Sequence, residues 1–305
     1  MAPQSVNQLT VRSADGTSIA VFESGVATGP VLVAVHGYPD NHTVWDGIAD
    51  ELGDRYRVIT YDVRGAGASG KPTGKAAYKL DRLVEDFAAV IDAVSPDAPV
   101  HLLAHDWGSI QSWGPVTDPR FADRIASYTS ISGPCLDYIG VWMRDRSHPG
   151  ASFRQALSSW YIGVFQIPWL PERVVRLDAV DKGIARAELK NSPGKSLAHP
   201  VARSEADKVN GINLYRANMP SRLGRPRAVP TSVPVQVIAP RSDAYVSVRL
   251  ATEVPVPFVK NLTVLEIDGS HWVVSEKPGM IGDLVDSFVG KHLPPLPAVK
   301  RKSRR

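Results

Sequence analysis

The stretch Val100-His-Leu-Leu-Ala-His-Asp-Trp-Gly-Ser-Ile-Gln-Ser-Trp113 decides how this chain folds. Val100 to Ala104 is a short apolar run that favours a strand, and Gly108 onward reads as the beginning of a helix. His105, Asp106 and Trp107 therefore stand where a strand turns sharply into a helix. Ala104 and Gly108 are small enough to let the backbone bend there, as in the G-x-S-x-G pattern that lifts one side chain into a cleft. The lifted residue is Asp106, where that pattern has serine. A carboxylate presented in this way can attack a saturated carbon and form an alkyl ester, which an unassisted serine hydroxyl does poorly. The plainer reading is that Asp106 caps the helix, since aspartate is a favoured N-cap. This stretch alone does not choose between the two.

At 305 residues the chain has room for one α/β domain with an insertion. Its single cysteine, Cys135, excludes an intrachain disulfide and a cysteine-based zinc site, and fits a reducing cytoplasm. The first residues lack a basic segment followed by an apolar one. No run approaches the ~20 apolar residues that span a bilayer. The expectation is a soluble, cytoplasmic protein without a transmembrane segment. The net charge of +4 comes from the C-terminal end: five of the 35 basic residues lie between 300 and 305, and without them 30 face 31 acids. Residues 299–305 read as a basic, disordered tail rather than a nucleic-acid arm. The charge of the body is uneven, with 15 basic and 7 acidic residues between Val141 and Pro230. A basic rim there would draw in an anionic substrate.

Gln8 to Ser13 and Ser18 to Ser24 alternate as two strands joined at Asp15-Gly16. Val31 to Val35 is a continuous apolar run, as expected of a strand covered on both faces, and it ends in His36-Gly-Tyr-Pro-Asp40. A glycine and a proline directly after a buried strand fix a loop whose N–H groups can face a ligand. Tyr56 to Tyr61 is the next strand. The glycines that follow lack Walker spacing and G-x-G-x-x-G, so nucleotide binding is set aside. A helix with apolar spacing over Asp81 to Val94 leads into the opening stretch, and Ile125 to Ser132 is another strand. From about Leu136 to Pro230 the alternation stops, and helical patches with many aromatic and proline residues suggest a lid. Strands return at Val233 to Ala239 and Leu262 to Ile267, followed by a helix near Met280 to Gly290. Alternation of this kind predicts a mostly parallel, doubly wound sheet. The expected division is a core over 1–135 and 231–298, a helical lid over 136–230, and the tail.

Asp106, Asp243 and His271 each fall just beyond a strand of this sheet, where such sheets hold their sites. Their order of nucleophile, acid and histidine is that of the α/β-hydrolase fold, with the lid between the first two. The segments HGYPD, YDVRGAGASGKP, AHDWGS, PRSDAYV and DGSHWVVSEKPG resemble those of α/β-hydrolase epoxide hydrolases, in that order and over nearly the whole chain. AHDWGS with the following SGP also resembles an actinobacterial subgroup whose hydrolase unit can be fused to a short-chain reductase; no reductase is expected here. Ala104 departs from the glycine of many members, a small-for-small change.

The resemblance implies that Asp106 is the nucleophile, His271 the base and Asp243 its orienting acid. Two lid segments, SWYIGVFQIP and GINLYRANM, are similar to those that carry epoxide-activating tyrosines, which assigns that role to Tyr161 and Tyr215. Backbone N–H groups of Tyr38 and Trp107 are expected to form the oxyanion hole. His36, Pro39, Trp107, Phe165 and Trp272 are expected to touch the substrate. No metal or organic cofactor is implied. The partners are a small epoxide and water, with no nucleic acid and with a homodimer left open.

A haloalkane or haloacid dehalogenase would use the same Asp-His-Asp set, with Trp107 as a halide donor. Tyr38 stands where haloalkane dehalogenases typically have asparagine, and two lid tyrosines would be left unused. A non-catalytic ligand-binding protein of the same fold would leave the triad unexplained.

Overall fold

The computed structural model describes residues 6–145, 149, 150, 155, 160–176, 182, 186 and 203–293. Its strands are β1 (Asn7–Arg12), β2 (Ser18–Gly25), β3 (Val31–Val35), β4 (Arg57–Tyr61), β5 (Val100–His105), β6 (Ile125–Ile131), β7 (Val235–Pro240) and β8 (Leu262–Ile267). They form one sheet in the order β1-β2-β4-β3-β5-β6-β7-β8. β2 runs antiparallel to both β1 and β4, and all other neighbours are parallel. Strand ends differ from the sequence-based expectation by one or two residues at several places. The order of the strands was beyond reach of the sequence pattern. The chain lays β4 on one side of β3 and then β5 on the other, so the winding reverses at β3. The crevice between β3 and β5 is therefore the switch point at which a parallel sheet binds ligands.

The helices are α1 (Asp46–Leu52), α2 (Leu80–Val94), α3 (Trp107–Thr117), α4 (Leu136–Trp142), α5 (Trp160–Phe165), α6 (Leu170–Val175), α7 (Glu205–Gly224), α8 (Val248–Glu253), α9 (Val273–Glu276) and α10 (Pro278–Val289). α2 buries Leu83, Phe87, Val90, Ile91 and Val94, a helical stripe that lies on the sheet face shared with α3 and α8. The other face is covered by α1, α9 and α10, through Ile48, Leu52, Val273, Ile281 and Val285. β5 serves both layers. Leu102 and Ala104 join the first and Leu103 the second, as alternation along a strand requires. Between β6 and β7 the described elements are all helices, an insertion on the sheet domain. Among the described residues no helix is long and apolar enough to cross a membrane.

The loop after β4 is anchored by a buried ion pair. The Arg64 side chain is fully buried and donates to both oxygens of Asp86 on α2 at 2.6 Å, to Asp15 of the first hairpin at 2.8 Å and to the Ala77 carbonyl at 2.7 Å. Removing one partner of such a pair leaves an uncompensated buried charge. Asp86→Ala is accordingly expected to lower the stability by about 3–5 kcal/mol, read from urea unfolding midpoints, and to cost more than Asp86→Asn.

Candidate active site

Asp106 follows β5 directly and precedes α3, with φ at 50° and ψ at −124°. This is a backbone conformation that a residue with a side chain takes only when its surroundings impose it. Three glycines permit it. A Cβ on Gly108 would meet the Val35 carbonyl oxygen at 2.1 Å, one on Gly37 would meet Asp106 Oδ1 at 2.4 Å, and one on Gly133 would meet the Asp106 carbonyl oxygen at 2.2 Å. The end of β3, the start of α3 and the loop after β6 thus close around the aspartate at distances only glycine allows. Asp106 makes no side-chain cap on α3. The capping reading fails for this reason: the carboxylate is turned away from the helix N–H groups and toward the crevice.

Its partners there come from three loops. The backbone N–H of Tyr38 donates to Asp106 Oδ1 at 2.7 Å. His271 Nε2 lies 3.4 Å from Asp106 Oδ2, and its Nδ1 lies 3.1 and 3.0 Å from the two oxygens of Asp243. Asp243 Oδ1 in turn accepts the N–H groups of Tyr245 and Val246 at 2.8 and 3.0 Å. Trp107 is the first residue of α3, so its N–H has no partner within the helix. The structure brings Asp106, His271, Asp243 and the backbone N–H of Tyr38 into one constellation.

The site is buried, and its charges set one another. Burial acts against protonation of His271, but the charge of Asp243 and the hydrogen bonds to both aspartates outweigh it and push the imidazole up to about 10. Burial would raise Asp106, yet the hydrogen bond and charge of His271 and the Tyr38 N–H hold it below the usual carboxylate range. Burial opposes Asp243 likewise, and His271 with the two backbone donors lowers it. His271, flanked by two carboxylates, therefore holds its proton more tightly than a free imidazole. His105 is different: burial first, then the neighbouring His271, lowers it, so it stays neutral. Its Nε2–H donates to the His271 carbonyl at 2.8 Å.

A cavity of about 110 Å³ opens over Asp106. Trp107, Ile110, Leu136, Ile139, Met219 and Leu223 make its wall apolar, and Tyr215, Tyr245, Gln155 and Ser132 bring polar groups to it. Tyr215 is buried on α7, with its ring 4.8 Å from that of Trp107 and 5.6 Å from that of Tyr38. α7 is fixed to the core. The Tyr38 hydroxyl donates to the Lys208 carbonyl, Gly67 N–H donates to Asp207, and Asn218 bridges Leu80 N–H and the Tyr78 carbonyl. Tyr161 lies on the backbone of α5, but its side chain is outside the described residues. Phe165 packs edge-on against Tyr215 at 4.8 Å, behind the cavity wall.

Three residues expected at the substrate are used elsewhere. His36 donates from Nδ1 to the Gly37 carbonyl and accepts the Val63 N–H at Nε2, so both ring nitrogens shape the loop after β3. Pro39, after a cis peptide bond, is outside the wall. Trp272 is buried behind His271 and donates to Asp40, whose other oxygen takes Arg203. The described wall also contains no lysine or arginine. Among the described residues, then, no part of the basic rim expected from the charge count borders the cavity. Tyr245 and Gln155 were not expected in the wall. Tyr245 stands two residues after Asp243 within a motif already singled out, whereas nothing in the sequence marks Gln155.

A carboxylate on a strand-to-helix elbow, a loop N–H donating to it, and a histidine backed by an acid from the last two strands define a hydrolase of the α/β type. The chain belongs to the α/β hydrolase fold family, which it matches over residues 30–278. Among curated proteins it is 35% identical over 299 residues to "Probable oxidoreductase EphD" of Mycobacterium tuberculosis, covering 94% of this chain and 50% of that protein. It thus spans about half the length of that relative. It is 28% identical to human "Epoxide hydrolase 4" over 85% of this chain and 72% of the relative. The fold is shared with the Bacillus megaterium epoxide hydrolase, at a TM-score of 0.73 and 22% identity over 93% of this chain and 100% of that one. It is also shared with VrEH1 of Vigna radiata, at a TM-score of 0.70 and 24% identity over 94% and 98%.

The raised His271 has a consequence for stability. The folded protein holds this proton more tightly than the unfolded chain, whose histidine has the ordinary value of 6.5. The stabilisation is fully present below pH 6.5 and is lost as the pH rises toward 10. The carboxylates act in the opposite sense, losing theirs as the pH falls through their lowered values. The gap in melting temperature between wild type and His271→Gln is therefore expected to shrink from pH 6.5 to pH 10, measured by thermal unfolding across that range.

Proposed function

We propose that this chain hydrolyses an epoxide to a vicinal diol through an ester on Asp106, with residues 136–230 forming the lid over the site. The single observation that carries the reading is the carboxylate itself. An ionised Asp106 faces an apolar cavity that has Tyr215 in its wall and the His271–Asp243 pair beside it. A serine hydrolase would need a neutral histidine as base from the start, whereas here the first attack needs only a carboxylate. The curated relatives named as epoxide hydrolases support the same reading.

Asp106 attacks one ring carbon, the C–O bond breaks, and the electron pair stays on the ring oxygen. Tyr215, with Tyr161 by the resemblance, donates a hydrogen bond to that oxygen as its charge develops. Alkylation removes the negative charge of Asp106, one of the groups that keep His271 protonated. The imidazole then gives up a proton, which balances the one taken up by the alkoxide, and becomes a base. It next takes a proton from water, whose oxygen adds to the Asp106 carboxyl carbon. Tyr38 N–H already holds Oδ1, so it meets the tetrahedral oxyanion without rearrangement. Collapse breaks the ester C–O bond and expels the diol, to whose oxygen His271 supplies a proton; the Asp106 carboxylic acid left behind returns its own proton to His271, and the carboxylate is restored. No metal or organic cofactor takes part in this scheme, and the substrates are a small epoxide and water. One buried cysteine fits a reducing compartment, and we assign the protein to the cytoplasm.

Asp106→Asn is expected to remove turnover and the ester together. His271→Gln is expected to form the ester and hold it. Intact-protein mass after brief exposure to styrene oxide distinguishes them, and a histidine variant without adduct would exclude the two-step route. Tyr215→Phe removes one donor to the developing oxyanion, so the alkylation rate should fall by about a hundredfold, on the order of 3 kcal/mol. Single-turnover quenching of tryptophan fluorescence reads that rate; near-normal alkylation would reduce Tyr215 to packing.

A dehalogenase reading draws on one observation. The Trp107 indole N–H is buried without a hydrogen-bond partner among the described residues, and a halide would accept it. It predicts halide release from a haloalkane panel with no diol formed from epoxides.

A further inference from the structure

α7 separates two unlike surfaces. Tyr215, Met219 and Leu223, spaced four apart, face the catalytic cavity. The opposite side of the same helix, with Asn218, Ser221 and Gly224, borders a groove of about 1070 Å³ at the surface. Its lining contains the cations Lys75, Lys79, Arg216, Arg222, Arg225 and Arg227, and one acid, Asp81. Arg222 is neutralised by Asp81 and Asp137, and Arg216 by Glu172. Lys75, Lys79, Arg225 and Arg227 are exposed, and no described carboxylate pairs with their side chains. Four cations on one concave face with no partner carboxylate among the described residues need a reason, because soluble surfaces ordinarily intersperse both signs of charge.

The apolar surface beside them narrows the choice of partner. Gln166 lies on the groove wall, and Arg216 holds the carbonyls of Phe165 and Ile167, so the segment that follows is fixed at the groove's edge. That segment exposes Ile167 at 43%, Trp169 at 62% and, a turn further, Val174 at 43%. Trp169 takes a left-handed backbone, φ 58°, and Arg173 stacks over its ring at 5.0 Å. A protruding indole and aliphatic side chains next to unpaired lysines and arginines form the pattern of a surface that settles into a lipid interface. A free polyanion would use the cations and ignore the apolar edge.

We propose that this face of the lid docks on an anionic lipid bilayer, with Trp169 and Ile167 entering the interface and Lys75, Lys79, Arg225 and Arg227 meeting the headgroups. The placement has a functional sense. Met143 and Leu223 of the cavity wall lie at the ends of α4 and α7, and Met143 reaches solvent; the groove begins at Gly224 and Arg225. A docked lid would hold the cavity mouth near the membrane surface, where an apolar epoxide dissolves. Docking itself does not depend on the epoxide reading.

The test is co-sedimentation of the full chain with vesicles of phosphatidylcholine alone or mixed with phosphatidylglycerol. Binding is expected on the mixed vesicles, little on phosphatidylcholine, and less as salt rises. Each cation removed should weaken it by about fivefold, so the variant with Glu at positions 75, 79, 225 and 227 should fail to sediment. The same variant should melt as wild type does and hydrolyse a water-soluble epoxide at the wild-type rate. If charge reversal prevents folding, Gln at the four positions carries the test. Trp169→Ala should remove the blue shift of tryptophan emission on the vesicles. Undiminished binding of the charge variants, as when the basic residues 300–305 are responsible, overturns the proposal. So does wild-type binding that ignores phosphatidylglycerol, or that heparin reproduces with no dependence on Trp169. Because sedimentation is read without turnover, a failure to form diol would count against the epoxide reading and leave this result standing.

Discussion

The constraint on which this structure depends is the bend at Asp106. A residue with φ at 50° carries a conformational cost, and it persists here because β3, α3 and the loop after β6 press on it from three sides. Each of those contacts is made at a distance that a Cβ would forbid, at Gly37, Gly108 and Gly133. The bend turns the carboxylate from the helix it could have capped to the crevice where the winding of the sheet reverses. Everything chemical follows from that direction: the Tyr38 N–H, the imidazole and the cavity all meet the same carboxylate.

Electrostatics then tie the histidine to both carboxylates. Flanked by them, His271 holds its proton more tightly than a free imidazole, and Asp106 is held below the usual carboxylate range. In the proposed reaction, esterification of Asp106 would delete one of those charges, so the first chemical step itself would drive the change of protonation state. Asp243 has its own backbone donors and keeps the ring in place. His105, neutral beneath, ties the His271 backbone to the end of β5. Asp243, His271 and Asp106 are therefore mechanically linked across three strand ends.

The lid contributes through one firmly attached helix. α7 opens with a capping box at Ser204 and Asp207, and the same Asp207 reaches the loop after β4. Gly211 lies where a Cβ would run into the Tyr38 ring, so the helix sits directly on the loop after β3. Tyr215 gains its position from this attachment. One face of the helix is then committed to the cavity and the other to a cationic groove, and the same few turns carry two kinds of recognition.

Much of this was legible in the residues. The buried runs at Val31 to Val35 and Val100 to Ala104, the small flanks of Asp106, and the order Asp106, Asp243, His271 follow from local patterns that repeat every two or four residues or mark a turn. The roles of Tyr215 and Tyr161 came from resemblance, since a tyrosine in a helix looks the same whether it packs or donates. What the sequence by itself determined is the set of elements and the chemistry available at their ends, because propensity, periodicity and turn residues act over short distances. Strand order, the use of His36 and Trp272 as supports, and the presence of Tyr245 and Gln155 in the cavity wall were decided by tertiary structure. These depend on which distant segments come into contact, and on which face of a helix is left for solvent once the core has taken the other.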